Sequence, residues 1–244
     1  MGNFDTISSL AIILLAAVVH ASFQLSVSVL TLLSGHALGS KTAHHRLLRL
    51  TGGFIAGASV MTVLLLSSLS LILGTVLPST TPLVLWAICC GAIVGVGISV
   101  WLFYYRDNHH GTSLWVPRGF ARYLADRSKA TKMASETFGL GLTSVIAELI
   151  FVFAPIVVAS LVLIRLSPDY QLLGILLYSV VSLLPLFVVG ALIGSGHKLS
   201  HIQRWRESNK RFLQFAAGSG LLVLGAYVYV EQVIVVGVAA MGGQ

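Results

Sequence analysis

An all-α polytopic membrane protein with six transmembrane helices is the fold this sequence predicts, on three observations. Charged residues make up 9% of the 244-residue chain and hydrophobic residues 56%, whereas a soluble domain carries roughly 25% charged residues. A mean hydropathy of +0.92 is too high for a water-exposed surface. A bilayer core needs about 20 apolar residues per helix, and six runs of that kind occur, at 7–33, 50–77, 83–105, 135–164, 172–194 and 212–236.

The connections follow from local composition. "TVLPSTTP" separates the second run from the third and "RLSPDYQ" the fourth from the fifth, both short and rich in turn formers. The first loop carries Lys41, Arg46 and Arg49. The third carries Arg106, Arg118, Arg122, Arg127, Lys129 and Lys132, and the fifth Lys198, Arg204, Arg206, Lys210 and Arg211. That is fourteen of the fifteen Lys and Arg residues, leaving Arg165 alone on the other side. Positive loops face the cytoplasm, so both termini are expected outside, in a multi-pass protein of the cytoplasmic (inner) membrane. The net charge of +7 then reads as membrane topology, with no nucleic-acid partner expected.

The chain divides into a first three-helix half (1–105), a basic cytoplasmic linker (106–134) and a second three-helix half (135–244). In the linker, Pro117 suits the first position of a helix, and Phe120, Tyr123 and Leu124 fall on one face. The alternatives are a short helix lying on the inner leaflet and a plain basic linker. The N-terminus lacks the basic start of a cleavable signal peptide. "MGNFDT" fits a myristoylation pattern, but the expected outside location argues against its use. Cys89 and Cys90 are adjacent in an apolar run, a spacing that suits neither an ordinary disulfide nor a zinc site.

Counting only Asp, Glu, Lys, Arg and His, two spans carry an ionisable group deep within them. In the first, His20, Gln24 and Ser28 are each four residues apart, so they stack on one face of a continuous helix. In the fourth, Gly141, Ser144 and Glu148 form a small polar face, and Pro155 follows seven residues after Glu148. A proline inside a helix removes a backbone hydrogen bond and crowds the carbonyl four residues earlier: Phe151 for Pro155, and Val181 for Pro185 in the fifth span. A charge at the bilayer centre costs at least ~2.5–3.5 kcal/mol on insertion scales. The cheapest remedy is to turn it inward and pair it. The His20/Gln24/Ser28 stripe is therefore expected to face the Ser144/Glu148/Pro155 stripe across a central cavity, as a substrate- or ion-binding site. The alternative is a His–Glu contact that only joins two helices.

The other constellations say less. His36, His197 and His201 are the candidate metal ligands, His197 and His201 at the i, i+4 spacing of one helical face. No carboxylate–cysteine cluster completes a ligand set, and histidine is also at home at a membrane interface. Gly53/Gly57, Gly91/Gly95 and Gly190/Gly194 are small-xxx-small pairs that permit close helix approach. Trp86, Trp101, Tyr104, Tyr105 and Trp115 cluster near span ends, as an aromatic belt does. No serine–histidine–acid or metalloprotease arrangement is present, so neither enzyme activity nor a cofactor is expected.

Six spans in two halves, a helix-breaking first span in each half, and a last span reading "RFLQFAAGSGLLVLGAYVYV" make the chain resemble the lysine-exporter (LysE) superfamily, which includes the DsbD/CcdA-like six-helix membrane proteins. The resemblance implies a 3+3 inverted repeat and a transport role. It departs from the thiol carriers, because "HASFQLS" and "AELIFVFAP" hold no cysteine where those carriers need one. The expected function is a small secondary transporter or exporter of a small solute or ion, proton-coupled through a midplane Glu/His pair. The alternatives are a non-transporting membrane subunit or scaffold that binds a partner protein, a second copy or anionic lipid, and a thiol redox conduit through Cys89 and Cys90.

Overall fold

The computed structural model describes residues 3–23, 27–30, 41–77, 82–103, 126–127, 133–195, 205 and 208–235. All regular structure among them is helical. The helices are α1 (Asn3–Ser22), α2 (Lys41–Val76), α3 (Leu83–Phe103), α4 (Ala134–Leu163), α5 (Pro168–Ser182), α6 (Leu184–Gly194) and α7 (Lys210–Tyr229), which runs on into a π-helical turn, Val230–Ile234. Four helical stretches, lying in α2, α3, α4 and α7 with its π-turn, are long and apolar enough to cross a bilayer. A fifth results if α5 and α6 count as one bent span. The interfacial-helix expectation for 106–134 falls almost wholly outside the described residues.

The third, fourth and sixth spans match the sequence reading closely; the second begins nine residues early, α2 taking in Lys41, Arg46 and Arg49 that the sequence placed in the first loop; the first and fifth are interrupted. The expected first span, 7–33, is interrupted. α1 ends at Ser22, Phe23 lies in a turn, and residues 27–30 are helical again. At this end Ser22 Oγ donates to Val19 O at 2.6 Å, and the Phe23 amide closes back on His20 O at 3.0 Å, the tighter three-residue closure common in a last helical turn. The expected fifth span is broken, its two halves bent by 52°. Pro185 has no N–H for Val181, and Leu186 donates to Leu183 O at 2.9 Å. Pro155, by contrast, sits inside an uninterrupted α4. α4 is the most buried of the membrane-length helices, so its neighbours over-determine its path, whereas α5 and α6 expose Leu172, Leu173, Leu176, Val180, Leu184 and Val188.

Close backbone approach locks the bundle. A Cβ on Gly57 would run into Phe138 O, and one on Gly53 would lie 2.6 Å from Thr137 Oγ1 and 2.7 Å from Ala134 O. In return, a Cβ on Gly141 would strike Phe54 O. The pair α2–α4 therefore packs through its glycines, side by side and parallel. The antiparallel pair α3–α7 uses Gly97 and Gly218 instead, with Trp101 stacked on Phe215 at 5.7 Å. Gln214 Nε2 donates to Val100 O and Trp101 O, satisfying carbonyls in the last turn of α3. Gly91 and Gly95, which permit the same approach, do not make one among the described residues: a Cβ on either would meet nothing within 4 Å.

α1 packs on α4, α5 and α7, and α2 on α5 and α6 as well as α4. Gly174 of α5 lies against Ile13 and Leu163, and His20 lies near Tyr178 and Glu148. α1 thus runs parallel to α5 and antiparallel to α4. The start of α1, the α2–α3 and α4–α5 connections and the end of α7 consequently share one end of the bundle. Large apolar side chains such as Leu64, Leu71, Val84, Ile88, Ile150, Phe153 and Val223 point outward. An exposed apolar girdle of this extent suits hydrocarbon as the surrounding solvent.

Candidate functional site

Glu148 sits near the centre of α4, about 21 Å along the axis from Ala134 and about 22 Å from Leu163 at the helical rise of 1.5 Å per residue. Its side chain faces α1, because Ser144 and Glu148 share the buried face of α4. His20 lies in the last turn of α1, beside the break after Ser22. The two residues are each 1% exposed, and His20 Nε2 stands 3.8 Å from Glu148 Oε2. That is an ion-pair distance, too long for a hydrogen bond, and Nε2 has no hydrogen-bond partner among the described residues.

The other ring nitrogen is held firmly. His20 Nδ1 is 2.9 Å from the hydroxyl of Tyr178, itself fully buried on α5, and the rings meet at a 5.6 Å centroid separation. Tyr178, His20 and Glu148 thus form a row from three helices. Phe151 and Phe23, each three residues after the acid and the imidazole in their own segments, stack beside the pair with their planes 2° apart and centroids at 5.7 Å. These rings wall the row with hydrocarbon. A low-polarity surround strengthens any electrostatic interaction inside it and penalises an unpaired charge.

The remaining expected residues fall as follows. Ser144 is buried one turn before Glu148, its Oγ donating to Gly141 O at 2.8 Å. Pro155 is buried in α4 two turns after Glu148. Ser28 lies in the helical turn after the α1 break, so the continuous-helix stacking that put it on one face with His20 does not hold. Gln24, His36, His197 and His201 lie outside the described residues. Among the described residues, no group of three or more His, Cys, Asp or Glu is placed to hold a metal ion.

Tyr178 is the residue the sequence reading missed, since it considered only Asp, Glu, Lys, Arg and His. A signal was there: Tyr178 precedes Pro185 by seven residues, as Glu148 precedes Pro155, and Ser182 follows it by one turn.

A cleft of about 400 Å³ opens between α2, α4 and α5, towards the end that holds the α4–α5 turn, with Ser67, Ser70, Thr75 and Gln171 as its polar lining. It is not beside the buried row, as the expected central cavity was. Ile175 in its wall, however, lies one helical turn before Tyr178. At the same end, Arg165 lies over the Trp86 ring at 5.0 Å and donates through Nη1 to Gln232 Oε1 at 2.6 Å, tying the α4–α5 turn to α3 and the π-turn. Comparison of the chain with protein-family models, curated proteins and solved structures gives no match.

Proposed function

We propose that the protein is a small secondary transporter of a small solute or ion, coupled to protons through Glu148 and His20. The observation that carries this reading is a fully buried acid–imidazole pair at mid-depth, beside the point where α1 ends. Intramembrane ionisable residues mark proton relays and ion paths, and interrupted helices at mid-depth are where carriers bind substrate and coupling ions. The row of Tyr178, His20 and Glu148 sets three proton-carrying groups in sequence, with a 3.8 Å step between His20 and Glu148 that a small side-chain shift or one water would bridge. The cleft, one turn from Tyr178, supplies an approach from one end.

The packing also supports a 3+3 inverted repeat of six spans, with α5 and α6 as one. Exchange α1 with α4, α2 with α5–α6, and α3 with α7. The packings α1–α4, α2–α5/α6 and α3–α7 each map onto themselves. The packing α2–α4 maps onto α5–α1, and α1–α7 onto α4–α3, and all of these are present. The LysE-like resemblance of the sequence fits the same plan, with both termini outside and the basic loops in the cytoplasm of an inner membrane. The rival reading, a static pin between helices in a non-transporting membrane subunit, draws support from the complete burial of the row.

The test is accumulation of solutes from a small-molecule mixture by proteoliposomes under an imposed pH gradient, read by mass spectrometry. Wild-type protein should accumulate at least one solute in a gradient-dependent way, and Glu148→Gln should not. Gradient-dependent accumulation that survives Glu148→Gln would remove the proposed coupling.

A further inference from the structure

We propose that Tyr178 is the positioning residue that lets His20 change its proton inventory in the membrane interior, its hydroxyl reversing from donor to acceptor as the pair gains a proton. The proposal rests on the proton-coupled reading above, but its test does not use transport.

A buried ring nitrogen without a partner is costly in either form. The neutral imidazole has one N–H and one bare acceptor nitrogen, and the imidazolium has two N–H donors. A partner for Nδ1 must therefore accept when that nitrogen is protonated and donate when it is not. A carboxylate only accepts and an ammonium only donates, whereas a phenol does both without carrying charge. Tyr178 places such a hydroxyl 2.9 Å from Nδ1.

The row then has two settings. With the Glu148 carboxylate ionised and the ring neutral, Tyr178 O–H donates to Nδ1, and the ring N–H on Nε2 points at Glu148. This state leaves one net negative charge in hydrocarbon. When one proton arrives from water it binds Nδ1. The hydroxyl rotates about its C–O bond, and Nδ1–H donates to the phenolic oxygen. The pair is now neutral overall. Once the oppositely charged pair closes from 3.8 Å to hydrogen-bond distance, the Nε2 proton can cross to the Glu148 carboxylate, which leaves a neutral ring protonated on Nδ1 and a neutral acid. The pair holds one proton before the step and two after it, the added proton arriving on the imidazole, which acts as the carrier.

Among the described residues, few other groups can compete for this role. On α4 the facing titratable group is Glu148, and on α5 it is Tyr178 itself. α7 approaches this turn of α1 with Gly220 beside Val19, and its stretch from Gly218 to Gly225 has no titratable residue.

The experiment is solid-state NMR of the full chain in lipid bilayers with ¹⁵N-labelled histidine. His20 is identified among the eight histidines as the signal lost in His20→Gln. At alkaline pH the wild-type His20 ring should be the single tautomer protonated on Nε2, and at acid pH a form protonated on Nδ1 should replace it. Tyr178→Phe should lose the single-tautomer signal and show a mixture. A wild-type ring protonated on Nδ1 at alkaline pH would overturn the proposal, as would a Tyr178→Phe spectrum superimposable on the wild type. If Tyr178→Phe does not fold, the wild-type tautomer alone decides. Failure here with Glu148-dependent flux intact would refute the role of Tyr178 and leave the transport reading standing.

Discussion

Replacing Gly57 by alanine should split the α2–α4 pair, whereas the same change at Gly91 should not. A Cβ on Gly57 would enter the space of Phe138 O, a backbone atom that cannot swing aside, and the nearby Gly53 Cβ would stand 2.6 Å from Thr137 Oγ1. An ordinary carbon–oxygen contact is about 3.3 Å or more, so even at Gly53 the helices must part by roughly 0.7 Å, and at Gly57 by more. Overpacking of this kind costs about 1–3 kcal/mol. Alanine is favoured over glycine in a helix by up to about 1 kcal/mol, and at Gly91, with nothing within 4 Å, that gain is all that remains. The propensity gain is common to both variants, so Gly57→Ala and Gly91→Ala should differ by the clash alone, roughly 1–3 kcal/mol. Reversible unfolding in mixed detergent micelles, followed by circular dichroism, measures the difference. Equal stability of the two variants, within about 0.5 kcal/mol, would refute the claim that glycine contact sets the helix spacing.

Other consequences can be measured in the same preparation. Glu148→Leu and His20→Leu should each destabilise by about 3–5 kcal/mol, because each leaves a buried polar partner stranded. The double variant should cost much less than the sum, and additive losses would argue against a direct pair. Arg165→Ala should cost about 1–2 kcal/mol from the lost Gln232 hydrogen bond and the ring contact. It should also shift the tryptophan emission, since Arg165 covers the buried Trp86; an unchanged spectrum would deny that contact in solution.

What could be read ahead of the structure, and what could not, divides along physical lines. Apolar run length is a bulk property, so α2, α3, α4 and α7 lie close to where hydropathy puts them. The pairing of His20 with Glu148 was also legible, because burying either alone is expensive and each span offers one. Breaks were not legible, because they depend on local competition. Ser22 and Phe23 turn the chain with hydrogen bonds that any helix-forming stretch could lose. A lightly packed helix breaks beside Pro185, while a heavily packed one runs on through Pro155. The glycine pairs show the same limit. Gly53/Gly57 and Gly91/Gly95 have the same spacing, and only the neighbour opposite decides which of them is a contact. Tyr178 escaped because a phenol is uncharged, and its value appears only once Nδ1 of His20 is seen to need a partner.

The central claim is that Glu148, served by His20, carries the proton that couples movement of solute. It is tested most directly by the luminal pH of proteoliposomes loaded with a pH-sensitive dye and given a gradient of a solute the wild-type protein accumulates. The account predicts a luminal pH change with wild-type protein and none with Glu148→Gln. The same pH change in both would contradict it.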